Sequence, residues 1–249
     1  MRALVTGANK GIGFGIANAL GKKGVEILVG ARDEVRGNAA VAELIAQGIA
    51  ASWVKIDLND FSTFETAAKT IGKIDFLINN AGISGNIRSE NGARDMTKSA
   101  FAYTTAELRE TVEVNFLGTH EIIMTLLENL TDDGKILNVT VPVSSPYWQP
   151  LAYVTSKAAQ NVMTMAFGRE FEKSGSKRQI FGVMPGAVAT DLNGAKVGDL
   201  GGTVKSIDDA GENIVSFLFD GKNHNGHLVQ FDKKEVTTYE QELWGESRD

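Results

Sequence analysis

An α/β fold, built as a doubly wound parallel sheet of about seven strands in a single domain, is predicted by three features of this 249-residue chain. Short apolar runs rich in Val, Ile and Leu alternate with helical patterns from end to end, as strands buried on both faces do. A glycine-rich turn follows the first run. No linker, repeat or low-complexity stretch interrupts the alternation, so residues 1–249 are expected to form one unit. The 43% hydrophobic content is enough to fill one large core at this length.

The elements follow in order. Ala3-Leu4-Val5 is the first strand, followed by the glycine turn and a helix to about Lys23. "VEILV" from Val25 is the second strand, and "VRGNAAVAELIAQ" the second helix, with Asp33 placed as its N-cap. "ASWVKIDL" is the third strand, and Ser62-x-x-Glu65 predicts a capping box for the next helix. "IDFLINNAG", "KILNVTV", "QIFGVMPG" and "GHLVQF" supply strands four to seven. Long helices are expected at about 105–129 and 152–172, and another at 206–219 opened by Ser206-x-x-Asp209.

Composition removes several function classes. Without cysteine there is neither a disulfide nor thiolate chemistry, and His120, His224 and His227 lack ligand spacing, so no metal site is expected. A net charge of −6 argues against nucleic acid or an anionic membrane surface as partner. The chain enters an apolar strand directly after Met1-Arg2, so no signal peptide is expected. Its apolar runs are far short of a bilayer span, and a cytoplasmic protein is expected.

Two stretches carry chemistry. "TGANKGIG", Thr6 to Gly13, joins the first strand to the first helix. Its glycines at 7, 11 and 13 let the backbone turn tightly and bring a pyrophosphate near the helix N-terminus, whose N–H groups and dipole favour anions. The spacing is not the G-x-G-x-x-G of the broader dinucleotide fold, and a turn needed only for packing is the alternative. In "YVTSK", Tyr153 and Lys157 stand four residues apart and so on one helix face. A phenol there can give a proton while the ammonium stabilises the phenolate and lowers its pKa. An exposed helix pair is the alternative.

These motifs occur with three others in a fixed order: Asn79-Asn80-Ala81-Gly82, a lone Asn115, and Pro185-Gly186 followed by Thr190. Together they resemble the short-chain dehydrogenase/reductases over essentially the whole chain, which implies a Rossmann-like fold. "TGANKGIGF" and "ARDEVRGNAAVAEL" are similar to the NADPH-dependent carbonyl reductases within that family. By this resemblance Gly7, Asn9, Lys10, Gly11, Ile12 and Gly13 cradle the cofactor. Asp57 and Leu58 meet its adenine, and Asn80, Ala81 and Gly82 lie under the adenosine ribose. Pro185, Gly186, Val188 and Thr190 hold the nicotinamide end. Tyr153 and Lys157 reach both the chemistry and the nicotinamide ribose, and Asn115 holds a water in the proton relay.

Cofactor choice has its own physical reading. A carboxylate after the second strand selects NAD by accepting from the ribose 2′-OH, and an arginine there selects the 2′-phosphate of NADP. Ala31 stands where that carboxylate is expected, Arg32 follows it, and Lys10 and Arg36 add positive charge, so NADP is expected. Solvated surface arginines are the alternative.

The substrate-orienting hydroxyl is ambiguous. Counting back thirteen residues from Tyr153 gives Thr140, whereas aligning on the strand puts Val141 at the serine position, as a one-residue deletion would. Thr140 supplies the hydroxyl if Pro142 distorts the strand end; otherwise Ser144 or Ser145 does, or there is none and activity is weakened. Substrate contacts are expected from loops at about 83–104 and 191–205, the second as a mobile lid, and from Tyr147 and Trp148. The expected activity is reduction of a small or medium aldehyde or ketone, and the expected assembly, by resemblance, is a homodimer or homotetramer through the two long helices. A dinucleotide-binding sensor or regulator without turnover is the competing reading, motivated by the missing unambiguous serine.

Overall fold

The computed structural model describes residues 1–85, 98–142 and 150–232. Seven strands run parallel in one sheet: β1 Arg2–Thr6, β2 Glu26–Ala31, β3 Ala51–Lys55, β4 Ile74–Asn79, β5 Leu130–Val139, β6 Gln179–Met184 and β7 Leu228–Gln230, in the order 3-2-1-4-5-6-7. The strand order reverses between β1 and β4, so the crevice beyond their carboxyl ends is where such sheets bind ligands.

Both faces are covered, which explains the continuous apolar runs. Side chains alternate along a strand. Ala3, Val5, Ile27, Val29, Phe76 and Ile78 pack against helices α1 (Gly11–Gly21), α2 (Glu34–Ala46) and α8 (Ile207–Phe219). Leu4, Leu28, Leu77, Ile136 and Ile180 point the other way. They meet α3 (Ser62–Thr70), α5 (Gly118–Leu126) and α6 (Leu151–Lys173) through Phe64, Ile122, Leu126, Met163 and Phe171. Each large side chain so buried contributes about 1.5–3 kcal/mol. A short helical turn α7, Asp199–Gly202, lies in the segment after β6.

Helix starts follow their capping chemistry, with one correction. Asp33 caps α2 by accepting from the Arg36 N–H (2.8 Å), and Ser206 caps α8 by accepting from the Asp209 N–H (3.0 Å). The capping box expected at Ser62 and Glu65 is absent. Asp60 Oδ1 accepts from both the N–H (3.2 Å) and the hydroxyl (2.6 Å) of Ser62, so that serine faces back along the chain, inside the helix rather than before it. A capping box does open α4 (Thr105–Val112), between Thr104 and Glu107.

The long helix expected at 105–129 is also divided. α4 gives way to a five-residue π-helical turn, Glu113–Leu117, before α5 ends at Leu126. Such turns occur as single widened turns inside α-helices, frequently at functional sites, and Asn115 is at the centre of this one. Among the described residues no helix is long and apolar enough to cross a membrane, and no three metal-ligating side chains converge.

Candidate active site

A cleft of about 660 Å³ opens at the carboxyl ends of the strands. Its floor is the turn between β1 and α1. Gly7 (φ +67°) and Gly11 (φ +59°) adopt the left-handed backbone that favours glycine. Gly13 is extended by no side chain, and a Cβ there would run into the Gly7 carbonyl and the Asn80 amide. The turn is tied to β4 by Thr6, whose Oγ1 accepts from the N–H groups of Asn80 and Ala81 (3.0 Å each). Asn80 Nδ2 donates back to the Thr6 carbonyl (3.0 Å). This backbone cradle at the N-terminus of α1 fits a dinucleotide pyrophosphate.

Three cations stand at one end of the cleft. Lys10, Arg32 and Arg36 all line it, and all three are solvent-exposed. Ala31, buried at the end of β2, offers no carboxylate. Asp33 also lines the cleft, but its Oδ1 is engaged in capping α2. Lys10 Nζ reaches across to Asp191 Oδ2 (2.8 Å), linking the glycine turn to the segment after β6. Both partners are more than half exposed, so this pair contributes only about 0.2–1 kcal/mol, and an anion can displace it.

At the other end, α6 brings Tyr153 and Lys157 to the same wall, with Lys157 Nζ 5.9 Å from the centre of the phenol ring. Both are buried. Burial pushes the Tyr153 phenol up to about 12 and the Lys157 ammonium down to about 7. The sequence leads one to expect a cation that lowers the phenol. Here desolvation governs both groups, because each charged form has lost water. Lys157 Nζ donates to the Val139 carbonyl (2.7 Å) and to Gln160 Oε1 (3.0 Å).

Asn115 is fully buried behind the cleft. Its side chain accepts from the Ile83 N–H (2.8 Å) and donates to the Ile83 carbonyl (2.8 Å) and the Ser156 hydroxyl (2.9 Å). Gly82 leaves room for this arrangement, since a Cβ there would lie 3.0 Å from Asn115 Oδ1.

Of the other residues expected at the site, Asn9, Ile12, Asp57, Leu58, Asn80, Ala81, Gly82 and Thr190 line the cleft. Pro185, Gly186 and Val188 do not line it: Pro185 and Val188 are buried and Gly186 is exposed, with the Val188 carbonyl held by Asn193 Nδ2 (2.9 Å) and the Pro185 carbonyl by Lys205 Nζ (3.2 Å). Thr140 does not line the cleft. It is buried, and its hydroxyl donates to Asn161 Oδ1 (2.6 Å) on α6. Its side chain follows the strand alternation onto the face that carries Asn138, which donates to Thr164 on the same helix (2.8 Å). Ser144, Ser145, Tyr147 and Trp148 lie outside the described residues, as does most of the 83–104 segment. The sequence reading missed Gln160, Ile83, Val139 and Asp191. Gln160 had a signal: 153, 157, 160 and 164 share one helix face, so a polar side chain at 160 stands one turn from the lysine.

A parallel sheet with a glycine cradle at its switch point, and a tyrosine–lysine pair across the same cleft, defines a dinucleotide-binding oxidoreductase site. The chain belongs to the short chain dehydrogenase family, whose model matches residues 1–200. It is 27% identical over 284 residues to carbonyl reductase (NADPH) 1 of Mus musculus, covering 93% of this chain and 96% of that protein. The Bos taurus protein of the same name is 36% identical over 147 residues, but that match spans about half of either chain (57% of this one and 49% of that one). Among solved structures, a short chain dehydrogenase from Burkholderia cenocepacia in complex with NADP superposes with a TM-score of 0.77 at 25% identity, covering 92% of this chain and 95% of that one.

Proposed function

We propose that this protein is an NADPH-dependent reductase that converts the carbonyl of a small or medium, partly apolar aldehyde or ketone to the alcohol, with Tyr153 as general acid. The observation that carries the reading is the placement of Tyr153 and Lys157 in the same cleft as the glycine cradle and the cations Lys10, Arg32 and Arg36. The name of the mouse relative and the NADP held by the Burkholderia protein support it.

A bound NADPH supplies the hydride. Arg32 and Arg36 receive its 2′-phosphate, with Lys10 released from Asp191. Asp57 and Leu58 bound the adenine, and Asn80, Ala81 and Gly82 the adenosine ribose. Val188 and Thr190, supported by Pro185 and Gly186, bound the nicotinamide end. Tyr153, held protonated by burial at neutral pH, gives its proton to the carbonyl oxygen of the substrate. Lys157 in its ammonium form, held by Val139 and Gln160, stabilises the phenolate left behind, and a proton from solvent restores the phenol. Asn115 holds the backbone at Ile83 and the Ser156 hydroxyl, and so fixes the floor under this pair.

A panel of aldehydes, ketones and quinones with NADPH tests the reading. Turnover by the wild type is expected, together with a loss of about 10²–10⁴-fold in kcat in Tyr153→Phe with NADPH saturating, as removal of a general acid gives. Retained activity in that variant would falsify the role of Tyr153. A binding protein without turnover is the second reading, favoured by the engagement of Thr140 with Asn161, which removes one candidate orienting hydroxyl. NADPH affinity with no turnover across the panel would promote it. We further propose that residues 1–249 act as one catalytic unit, in the cytoplasm, as a homodimer or homotetramer.

A further inference from the structure

We propose that Gln160 is a positioning residue whose buried side-chain amide holds Lys157 in place beside Tyr153 and ties it to the π turn. Gln160 is completely buried. Its Oε1 accepts from Lys157 Nζ (3.0 Å), while its Nε2 donates to Thr119 Oγ1 (3.2 Å) and to the Asn115 carbonyl (3.4 Å). A flipped amide would set its NH₂ against the ammonium, so these partners also fix which end faces the lysine. Thr119 Oγ1 donates to the same Asn115 carbonyl (2.8 Å), so the widened turn presents a carbonyl, and the first turn of α5 a hydroxyl, to α6 at this one point.

A lysine side chain has four rotatable bonds, whose freedom must be lost for Nζ to hold one position. Two acceptors on different elements, the Val139 carbonyl of β5 and Gln160 of α6, define one position for Nζ. Both acceptors are neutral. They stabilise an ammonium without cancelling its field, which stays available to a phenolate on Tyr153. A glutamate at 160 would instead form a buried ion pair with the lysine. A leucine would fill the volume and leave the ammonium with one acceptor fewer. The chain onward is also polar and buried: Thr164 donates to the Gln160 carbonyl (2.8 Å), and Asn138 links Thr164 to Asn79 (2.8 and 2.9 Å).

The charged and titratable groups on elements packed against α6 here are Glu107, paired with Lys98, and the exposed Arg109, Glu110 and Glu113. On α5 they are His120, whose ring lies against Phe167 of α6, and Glu121. On β5 they are the exposed Asp132 and Asp133, and Lys135, which donates to the Leu218 carbonyl; β6 carries none. Tyr153 is the titratable side chain beside Lys157 on its own helix.

The catalytic consequence rests on the proposed function above, but the geometry can be read without turnover. The ammonium titration of Lys157 is followed by NMR in ¹³C-lysine-labelled protein without cofactor, with Lys157→Met identifying the signal, in wild type, Gln160→Leu and Gln160→Glu. The expected result is a lower midpoint in the leucine variant and one raised by about 1–3 pH units in the glutamate variant, as an opposite charge at this distance gives. In turnover assays the leucine variant should lose about ten- to a hundredfold in kcat with KM little changed, as misplacement of a catalytic group does. The glutamate variant, nearly isosteric, keeps the test available if the leucine variant does not fold. A midpoint that neither variant moves overturns the proposal even if both are less stable. Absence of turnover in the wild type defeats the reductase reading and leaves the NMR result to decide this one.

Discussion

Lys157 and Tyr153 share one desolvated pocket, and burial acts on them in opposite directions, so the pair makes stability depend on pH. The folded lysine titrates near 7 and the unfolded one near 10.5. Between those values the unfolded chain binds more protons, and stability rises with pH by up to about 1.4 kcal/mol per unit. Below 7 both states are charged and the full cost of burying the ammonium is present. The phenol acts later and with the other sign. It titrates near 12 when folded against 10 in its ordinary state, so stability falls between those values as the unfolded tyrosine ionises first. Urea unfolding at pH 7 and pH 9 should therefore show wild type gaining stability with pH. Lys157→Met should gain much less, and an equal gain would show that the lysine is not held in a buried, uncharged form. This is also where sequence reading reached its limit at the residue scale. Tyr153-x-x-x-Lys157 and the glycine spacing were legible because they are local. That desolvation outweighs the cation's pull on the phenol depends on what α6 packs against. The same holds for Thr140, which counting placed at the chemistry and strand alternation turned towards Asn161.

At the scale of elements, α1 and α8 approach so closely that only glycine fits between them. A Cβ on Gly15 would meet the Ile207 carbonyl, and one on Gly211 would meet the backbone of Gly15. The obstacle is backbone, which cannot swing aside. Gly211→Ala should thus cost about 1–3 kcal/mol, as overpacking does, and lower the midpoint of thermal unfolding. An unchanged midpoint would mean that the two helices can separate freely. Because α1 also carries the cradle, NADPH affinity should fall with it. Strands β1, β2, β4 and β6 were legible because both their faces are buried and their runs are continuous. In contrast, β5 begins at Leu130, ahead of the expected Lys135, because the polar, exposed Asp132 and Asp133 hide its first half. The π turn was not legible, since Glu113–Leu117 keeps the apolar pattern of the helices on either side and differs only in its hydrogen bonding. The Ser62–Glu65 motif misled because Asp60, two residues earlier, captures the serine.

For the whole molecule, exposed apolar side chains on the long helices bear on assembly: Leu117 (40% exposed), Met124 (47%) and Val162 (62%) lie on the π turn, α5 and α6. Light scattering at micromolar concentration should report at least a dimer, and Val162→Glu should shift it towards monomer; a monomeric wild type contradicts the proposed assembly. The distribution of charge bears more directly on function. A chain of net charge −6 gathers Lys10, Arg32 and Arg36 at one end of the cleft, with no carboxylate at Ala31. The most direct test of an NADPH-dependent reductase is fluorescence titration of NADPH and NADH into wild type and Arg32→Ala, which requires no knowledge of the substrate. The account predicts tighter binding of NADPH by the wild type. It also predicts a loss of roughly ten- to a hundredfold for NADPH in the variant, the value of one charge-assisted hydrogen bond, with NADH nearly unchanged. Equal affinity of the wild type for the two cofactors, or equal weakening of both by the substitution, contradicts it.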